Sequence, residues 1–383
     1  MYAYLGNVIT ESETLPNTAI VCSDDGIIRE IQTPSRVDHR IVKRDFGSHW
    51  IAPGFVDMHV HGGGGGDFMS ASSECIERIL ETHTRCGTTT LLATTLSASR
   101  HDTDRAIRAI VEAARGESTT AQIAGIHLEG PYICAARRGA QPGPAVRPGS
   151  VDEFGHWWTL SEGTIKQITI APEQNGSEEV IRAAVSNGIV VSAGHTDASA
   201  MDAMDAIVLG VRQVTHLFNA MRPLHHREPG LLGAALVSPV LKCEIIADGV
   251  HVAPMVVRLA HLAKGDSGII LVTDAIEGAS MPDGIYSLGG QDVHVQNGTA
   301  AFADGTLAGS VLTMNRAWKN IMDFADVAPS SASQMASLNA AKQLGLDSVI
   351  GSIALGKRAD LVALHHNGTV EATIIRGDIV YAR

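Results

Sequence analysis

The sequence predicts an α/β protein: a (β/α)8 barrel of the TIM type over residues 51–355, with a small β-sandwich module built from residues 1–50 and 356–383. Three observations predict it. Eight short apolar runs alternate with segments of helical period. Both chain ends carry alternating segments broken by turn residues. The side chains able to bind a metal fall just past the C-terminal ends of apolar runs, which is where such barrels hold their sites.

At the N-terminus, residues 3–9, 19–22, 27–31 and 41–46 read as strands punctuated by Gly6-Asn7, Asp25-Gly26 and Pro34. At the C-terminus, residues 360–364, 370–375 and 379–382 read the same way, with turns at Asn367-Gly368 and Gly377-Asp378. Neither end is large enough to close a core, so the two are expected to pair. Between them the apolar runs are 51–58, 88–94, 122–128, 165–170, 189–193, 213–216, 243–247 and 269–272. Amphipathic segments such as 74–86, 102–114, 178–185 and 200–209 separate them. Buried strands joined by helical crossovers pair in parallel with right-handed connections. A doubly wound sheet shows the same alternation, but no G-x-G-x-x-G follows a first strand here.

Composition narrows the function. With 383 residues and 45% apolar content the chain can bury a large core, and its formal net charge is −12 with no Lys/Arg-rich run. That argues against nucleic acid or an anionic membrane as partner. An anionic substrate would need a local cluster of cations. The N-terminal stretch has neither a basic region nor an apolar core, so no signal peptide is expected, and no apolar run has membrane-spanning length. Cys22, Cys75, Cys86, Cys134 and Cys243 are scattered and lack C-x-x-C spacing, which predicts a reducing, cytoplasmic setting.

The chemistry starts in IAPGFVDMHVHGGGGG, residues 51–66, where His59 and His61 emerge at a strand end before five glycines. A spacing of two puts both imidazoles on one face of a strand. Glu129 follows the run 122–128, His195 follows 189–193, His216 closes 213–216, Asp248 and His251 follow 243–247, and Asp274 follows 269–272. Singly, each is an ordinary loop residue or helix cap. Together they gather imidazoles and carboxylates at one face, a donor set suited to Zn²⁺, Fe²⁺, Co²⁺ or Mn²⁺ and not to an all-oxygen Ca²⁺ cage.

PGFVDMHVHGGGG, HLEGPY, GHT, THLFNAMRPLHHREPG, ADGVH and VTDA, in this order, closely resemble the N-acetylglucosamine-6-phosphate deacetylases of the amidohydrolase superfamily, and the resemblance runs over essentially the whole chain. H-x-H and a late Asp are shared across the superfamily, whereas HLFNAM with HHREPG is narrower. The resemblance implies metal-dependent hydrolysis of N-acetyl-D-glucosamine 6-phosphate to D-glucosamine 6-phosphate and acetate, in amino-sugar catabolism or cell-wall recycling. It implies that Glu129, His195 and His216 hold a principal divalent metal and that His59 and His61, with Glu129 bridging, can hold a second. Zn²⁺ is the first expectation. Asp274 then looks like the general acid/base as well as a ligand, His251 like a sugar-binding residue, and Asn219, Ala220 and Arg227 like phosphate contacts. Arg222, His225, His226 and Arg227 supply the cationic patch this acidic chain needs. Where some members have a carbonyl-polarising His, this chain has Gln141, so either the second metal or Gln141 takes that task. Cys134 in the same loop reads as a small apolar residue. A homodimer is expected, with Arg227 reaching the neighbouring subunit's site. The alternatives are an amidohydrolase for another N-acyl or cyclic amide substrate, which would not need the cationic patch, and a catalytically dead barrel kept for assembly, which would be expected to have lost ligands.

Overall fold

A computed structural model of the chain describes residues 1–116 and 119–383. Eight parallel strands follow one another around a barrel in sequence order: Phe55–Val60, Thr88–Thr95, Gln122–Glu129, Ile165–Ile170, Val190–Ala193, Gln213–Val214, Lys242–Ile245 and Ile269–Leu271. Helices including Ser73–Arg85, Arg100–Arg115, Ser177–Ser186 and Ala200–Leu209 cross between them. Their N-termini are capped by Ser72, Ser99 and Ser199, whose hydroxyls accept backbone N–H groups; Gly176 fills the remaining cap. The short helix Asn339–Gln343 closes the N-terminal mouth of the barrel, with Asn339 Nδ2 donating to the carbonyls of Asp266 and Ile269, both at 2.7 Å.

The chain ends form one seven-stranded mixed sheet in the order Asp378–Ala382, Val370–Ile375, Leu361–Leu364, Val42–Pro53, Tyr2–Ile9, Thr14–Cys22, Ile28–Gln32. It corrects the reading of 51–58 as a single barrel strand. Ile51 pairs with Val8 on one side and Ala363 on the other, inside the terminal sheet, and the first barrel strand starts only at Phe55. Gly54 separates the two pieces at a point where a Cβ would stand 2.3 Å from Thr89 Cγ2. The sixth and seventh strands are also shorter than the apolar runs suggest, ending at Val214 and Ile245, so His216 belongs to a loop. A three-stranded antiparallel sheet, Gly284–Leu288, Gln291–Gln296 and Thr299–Ala301, was not anticipated. Its turn at Asn297-Gly298, both at positive φ, is a hairpin signal the sequence carries openly.

Barrel closure is unlike the other seven junctions. The first and eighth strands share no ladder; Val60, the last residue of the first, and Ala275, beyond the end of the eighth, form a lone parallel bridge. The fully buried Asp57 carboxylate spans the same junction, accepting from Thr273 N at 3.2 Å and Thr273 Oγ1 at 2.6 Å, and from His59 N at 3.3 Å. Asp57→Ala would leave the Thr273 and His59 N–H groups buried without this acceptor and Thr273 Oγ1 with only the His59 carbonyl at 3.4 Å. It is expected to lower the unfolding free energy by about 2–4 kcal/mol in urea denaturation of the metal-free protein. A loss below about 0.5 kcal/mol, the range of an unremarkable surface substitution, would show that the junction does not depend on it.

Candidate metal centre

The C-terminal strand ends converge on a cavity of about 270 Å³. His59 and His61 leave the first strand on one face, their Nε2 atoms 3.2 Å apart. The glycines that follow make a tight return in which Gly62 pairs with Asp67, and a Cβ on Gly62 would lie 2.2 Å from the Gly66 carbonyl. Glu129 ends the third strand. His195, His216 and Asp274 lie in the loops after the fifth, sixth and eighth strands, and all three adopt left-handed backbone, with φ of 48°, 32° and 50°. Such conformations cost non-glycine residues about 1 kcal/mol or more each. They are held by the surroundings: Cys134 N donates to His195 O at 2.8 Å and Ser310 N to Asp274 O at 2.7 Å.

Two groups of donors result, His59–His61–Asp274 and Glu129–His195–His216, the candidate ligand atoms within each lying no more than 4.8 Å apart. Glu129 sits between them. Its Oε1 is 3.1 Å from His195 Nε2 and 3.3 Å from both His216 Nε2 and His59 Nε2, while Oε2 is 3.2 Å from His61 Nε2. Asp274 Oδ1 lies 3.3 Å from His61 Nε2 and 3.5 Å from His59 Nε2.

The donor chemistry fits metal ions. His195 Nδ1 faces the Arg137 carbonyl at 3.1 Å, which can only accept, so in the neutral ring Nε2 presents a lone pair. His59 Nδ1 faces Glu244 Oε2 at 3.1 Å with the same consequence. These lone pairs converge on carboxylate oxygens, an arrangement that only protons or cations can relieve. The electrostatics agree. Burial pushes His59 and His61 down, but the carboxylates of Asp274 and Glu129 outweigh it: His59 lies well above its ordinary value and His61 is pushed up to about 9. Burial pushes Glu129 and Asp274 up, yet the imidazoles, His59 foremost, hold both carboxyls low. The centre favours positive charge.

Of the other predicted residues, Gln141, Asn219, Ala220 and His251 line the cavity. Gln141 is buried; its Oε1 accepts from Ser97 N at 2.7 Å and its Nε2 donates to Glu129 Oε2. His251 Nδ1 pairs with Asp248 Oδ2 at 2.7 Å. Arg227 is exposed and does not line the cavity; its Nη1 lies 2.8 Å from His226 Nε2. Cys134 is buried beside the His195 backbone. Sequence reasoning missed Glu244, whose carboxylate reaches His59. The available signal was a charged residue inside the apolar run of the seventh strand. It also missed Leu288 and Leu307, which wall the cavity from the unanticipated sheet and the loop after it.

A parallel barrel with this double donor set at its C-terminal face defines a metal-dependent barrel of the amidohydrolase type. The profile of the Amidohydrolase family matches residues 50–380. The chain is 39% identical over 379 residues to N-acetylglucosamine-6-phosphate deacetylase of Bacillus subtilis, covering 98% of this chain and 95% of that one. It is 34% identical over 355 residues, 93% of each chain, to N-acetylgalactosamine-6-phosphate deacetylase of Escherichia coli O157:H7. Its fold matches that of a mutant N-acetyl-D-glucosamine-6-phosphate deacetylase of Mycobacterium smegmatis, solved in complex with N-acetyl-D-glucosamine-6-phosphate. There the TM-score is 0.94 and the identity 34%, over 100% of this chain and 99% of that one. The chain belongs to the amidohydrolase family, among the N-acetylglucosamine-6-phosphate deacetylases.

Proposed function

We infer that this protein hydrolyses N-acetyl-D-glucosamine 6-phosphate to D-glucosamine 6-phosphate and acetate. The observation that carries the reading is the pair of buried donor groups sharing Glu129 on the floor of the cavity, in a chain similar over nearly its whole length to deacetylases of this substrate. Glu129, His195 and His216 would hold the principal ion and His59, His61 and Asp274 a second, with Glu129 between them. Zn²⁺ suits these ligands, as do Fe²⁺, Co²⁺ and Mn²⁺. A bound ion supplies Lewis acidity, polarising the acetyl carbonyl and making water more acidic.

The protein's own groups do the rest. The Asp274 carboxylate, held ionised by the adjacent imidazoles, takes a proton from the water as its oxygen bonds to the acetyl carbon. It returns that proton to the nitrogen as the C–N bond breaks. Gln141, tied to Ser97 and Glu129, orients the Glu129 carboxylate, and that tie occupies the amide it would need to polarise the acetyl carbonyl. His251, its Nδ1 committed to Asp248, turns Nε2 to the sugar, and Asn219 and Ala220 stand where the phosphate would lie. The five unpaired cysteines fit a cytoplasmic enzyme. Hydrolysis of N-acetylglucosamine, its 6-phosphate and N-acetylgalactosamine 6-phosphate, followed as acetate release, and of cyclic amides, followed as ring opening, tests the assignment. N-acetylglucosamine 6-phosphate is expected to have the highest kcat/KM, and a cyclic amide in first place would overturn it.

Arg227 lies outside its own chain's cavity, which supports a homodimer in which it completes the partner's site. The outer helices Ala200–Leu209, Gly230–Val237 and Pro254–Lys264, which flank this loop in sequence, expose Met201, Met204, Val208, Val237, Met255, Leu259 and Leu262. Val208 is 85% and Met255 83% exposed, an apolar face suited to burial against a second copy. Mixing inactive Arg227→Ala with inactive Asp274→Asn under verified subunit exchange is expected to restore about a quarter of wild-type activity. About half the dimers are then mixed, each with one intact site. If mixing restores nothing, Arg227 serves its own chain.

A further inference from the structure

We propose that Glu244 is the positioning residue that makes the His59–His61 half of the centre a metal site, by holding the His59 ring with its proton on Nδ1 and its lone pair on Nε2. The inference rests on the two-ion reading above. Glu244 lies on the seventh strand between Cys243 and Ile245; all three are fully buried. Cys243 and Ile245 pack into the apolar core, so the alternation of the strand turns Glu244 to the barrel axis. A carboxylate in such a place costs several kcal/mol unless its oxygens are satisfied.

They are satisfied by donors alone. Oε1 accepts from Gln167 Nε2 and Gln213 Nε2, both at 2.7 Å; Oε2 accepts from His216 N at 3.3 Å and faces His59 Nδ1 at 3.1 Å. The direction of the two amides is set from below. Gln343 Nε2 donates to Gln213 Oε1 and Gln213 Nε2 to Gln167 Oε1, each at 3.0 Å, which turns both amide nitrogens to Glu244. A polar chain thus runs through the barrel from Gln343 at its N-terminal mouth to the ring of His59. With an acceptor-only oxygen beneath it, the ring keeps its proton on Nδ1.

The backing of the rings is unequal. His59 is backed by a carboxylate, His195 by the Arg137 carbonyl, and His216 Nδ1 has no partner among the described residues. A carboxylate behind an imidazole makes it a stronger ligand, and losing such a partner typically weakens metal binding about 10–100-fold. Glu244→Gln should do more than remove charge. Gln167 and Gln213 would claim the new carbonyl oxygen, leaving the new amide to donate to His59 Nδ1 and moving the ring proton to Nε2, where it blocks the ion.

The test is a Zn²⁺ titration against a competing chelator, with ring ¹⁵N NMR at one equivalent of Zn²⁺ bound and at a pH where the His59 ring is neutral. Wild type is expected to take two equivalents, with the His59 proton on Nδ1. Glu244→Gln is expected to bind the first equivalent as wild type does, the second about 10–100-fold more weakly, and to carry the proton on Nε2. Gln213→Leu, which disturbs the same polar chain without touching His59, is expected to keep both equivalents. Equal second-site affinity in wild type and Glu244→Gln overturns the proposal, as does comparable second-site loss in Gln213→Leu. A wild-type proton on Nε2 overturns it even if Glu244→Gln does not fold. Wild type taking fewer than two equivalents overturns the two-ion reading itself, and this proposal with it.

Discussion

Asp274→Asn is expected to keep the principal metal and to lower kcat by about 10²–10⁴-fold, the range for a general acid/base group. The group proposed to hold the principal ion, Glu129, His195 and His216, does not include Asp274. The amide keeps the shape of the carboxylate and an oxygen that can face His59 and His61, but it cannot accept the water's proton or deliver it to the amine. KM should change far less than kcat, because the lost interaction belongs to the transition state. Steady-state kinetics with metal analysis of the same preparation checks both halves. A variant retaining more than about a tenth of wild-type kcat would remove Asp274 from this role.

His216→Ala is expected to abolish binding of the principal ion and to cut activity by at least about 10³-fold, the upper end of what one electrostatic stabiliser contributes. His216 offers Nε2 to the centre 3.0 Å from His195 Nε2 and 3.3 Å from Glu129 Oε1, and its left-handed backbone leaves little freedom for another residue to substitute. His195→Ala should behave alike. His59→Ala should lose no more than one equivalent and keep residual activity, because the other group of ligands stays whole. Metal counting per chain separates the cases, and unchanged stoichiometry in His216→Ala would refute the site.

The candidate ligands were legible because they obey a local rule. Each is a polar residue at or just beyond the end of an apolar run, and barrel geometry brings such ends together wherever they fall in the chain. Glu244 breaks that rule. It sits inside the run of the seventh strand, and its meaning depends on Gln167, Gln213 and His59 arriving from three other strands, which no spacing reveals. The break at Gly54 was hidden for a different reason: Ile51 and Phe55 are both fully buried, one in the terminal sheet and one in the barrel, so hydropathy runs through without a step. The three-stranded sheet after the eighth strand carries its hairpin signal in Asn297-Gly298, but its short strands stand outside the strand–helix alternation that marks the barrel.

The seam between the first and eighth strands ties the chemistry to the architecture. His59 and His61 belong to one lip of that seam and Asp274 to the other, with Asp274 N donating to His59 O at 2.9 Å. An ion held by these three residues would therefore be a rivet through the join, added to the few backbone bonds that already cross it. Its binding energy counts towards keeping the barrel shut, because a ligand of the closed form alone shifts the opening equilibrium by mass action. Loading such an ion would reinforce a closure that Asp57 and a few backbone bonds already make.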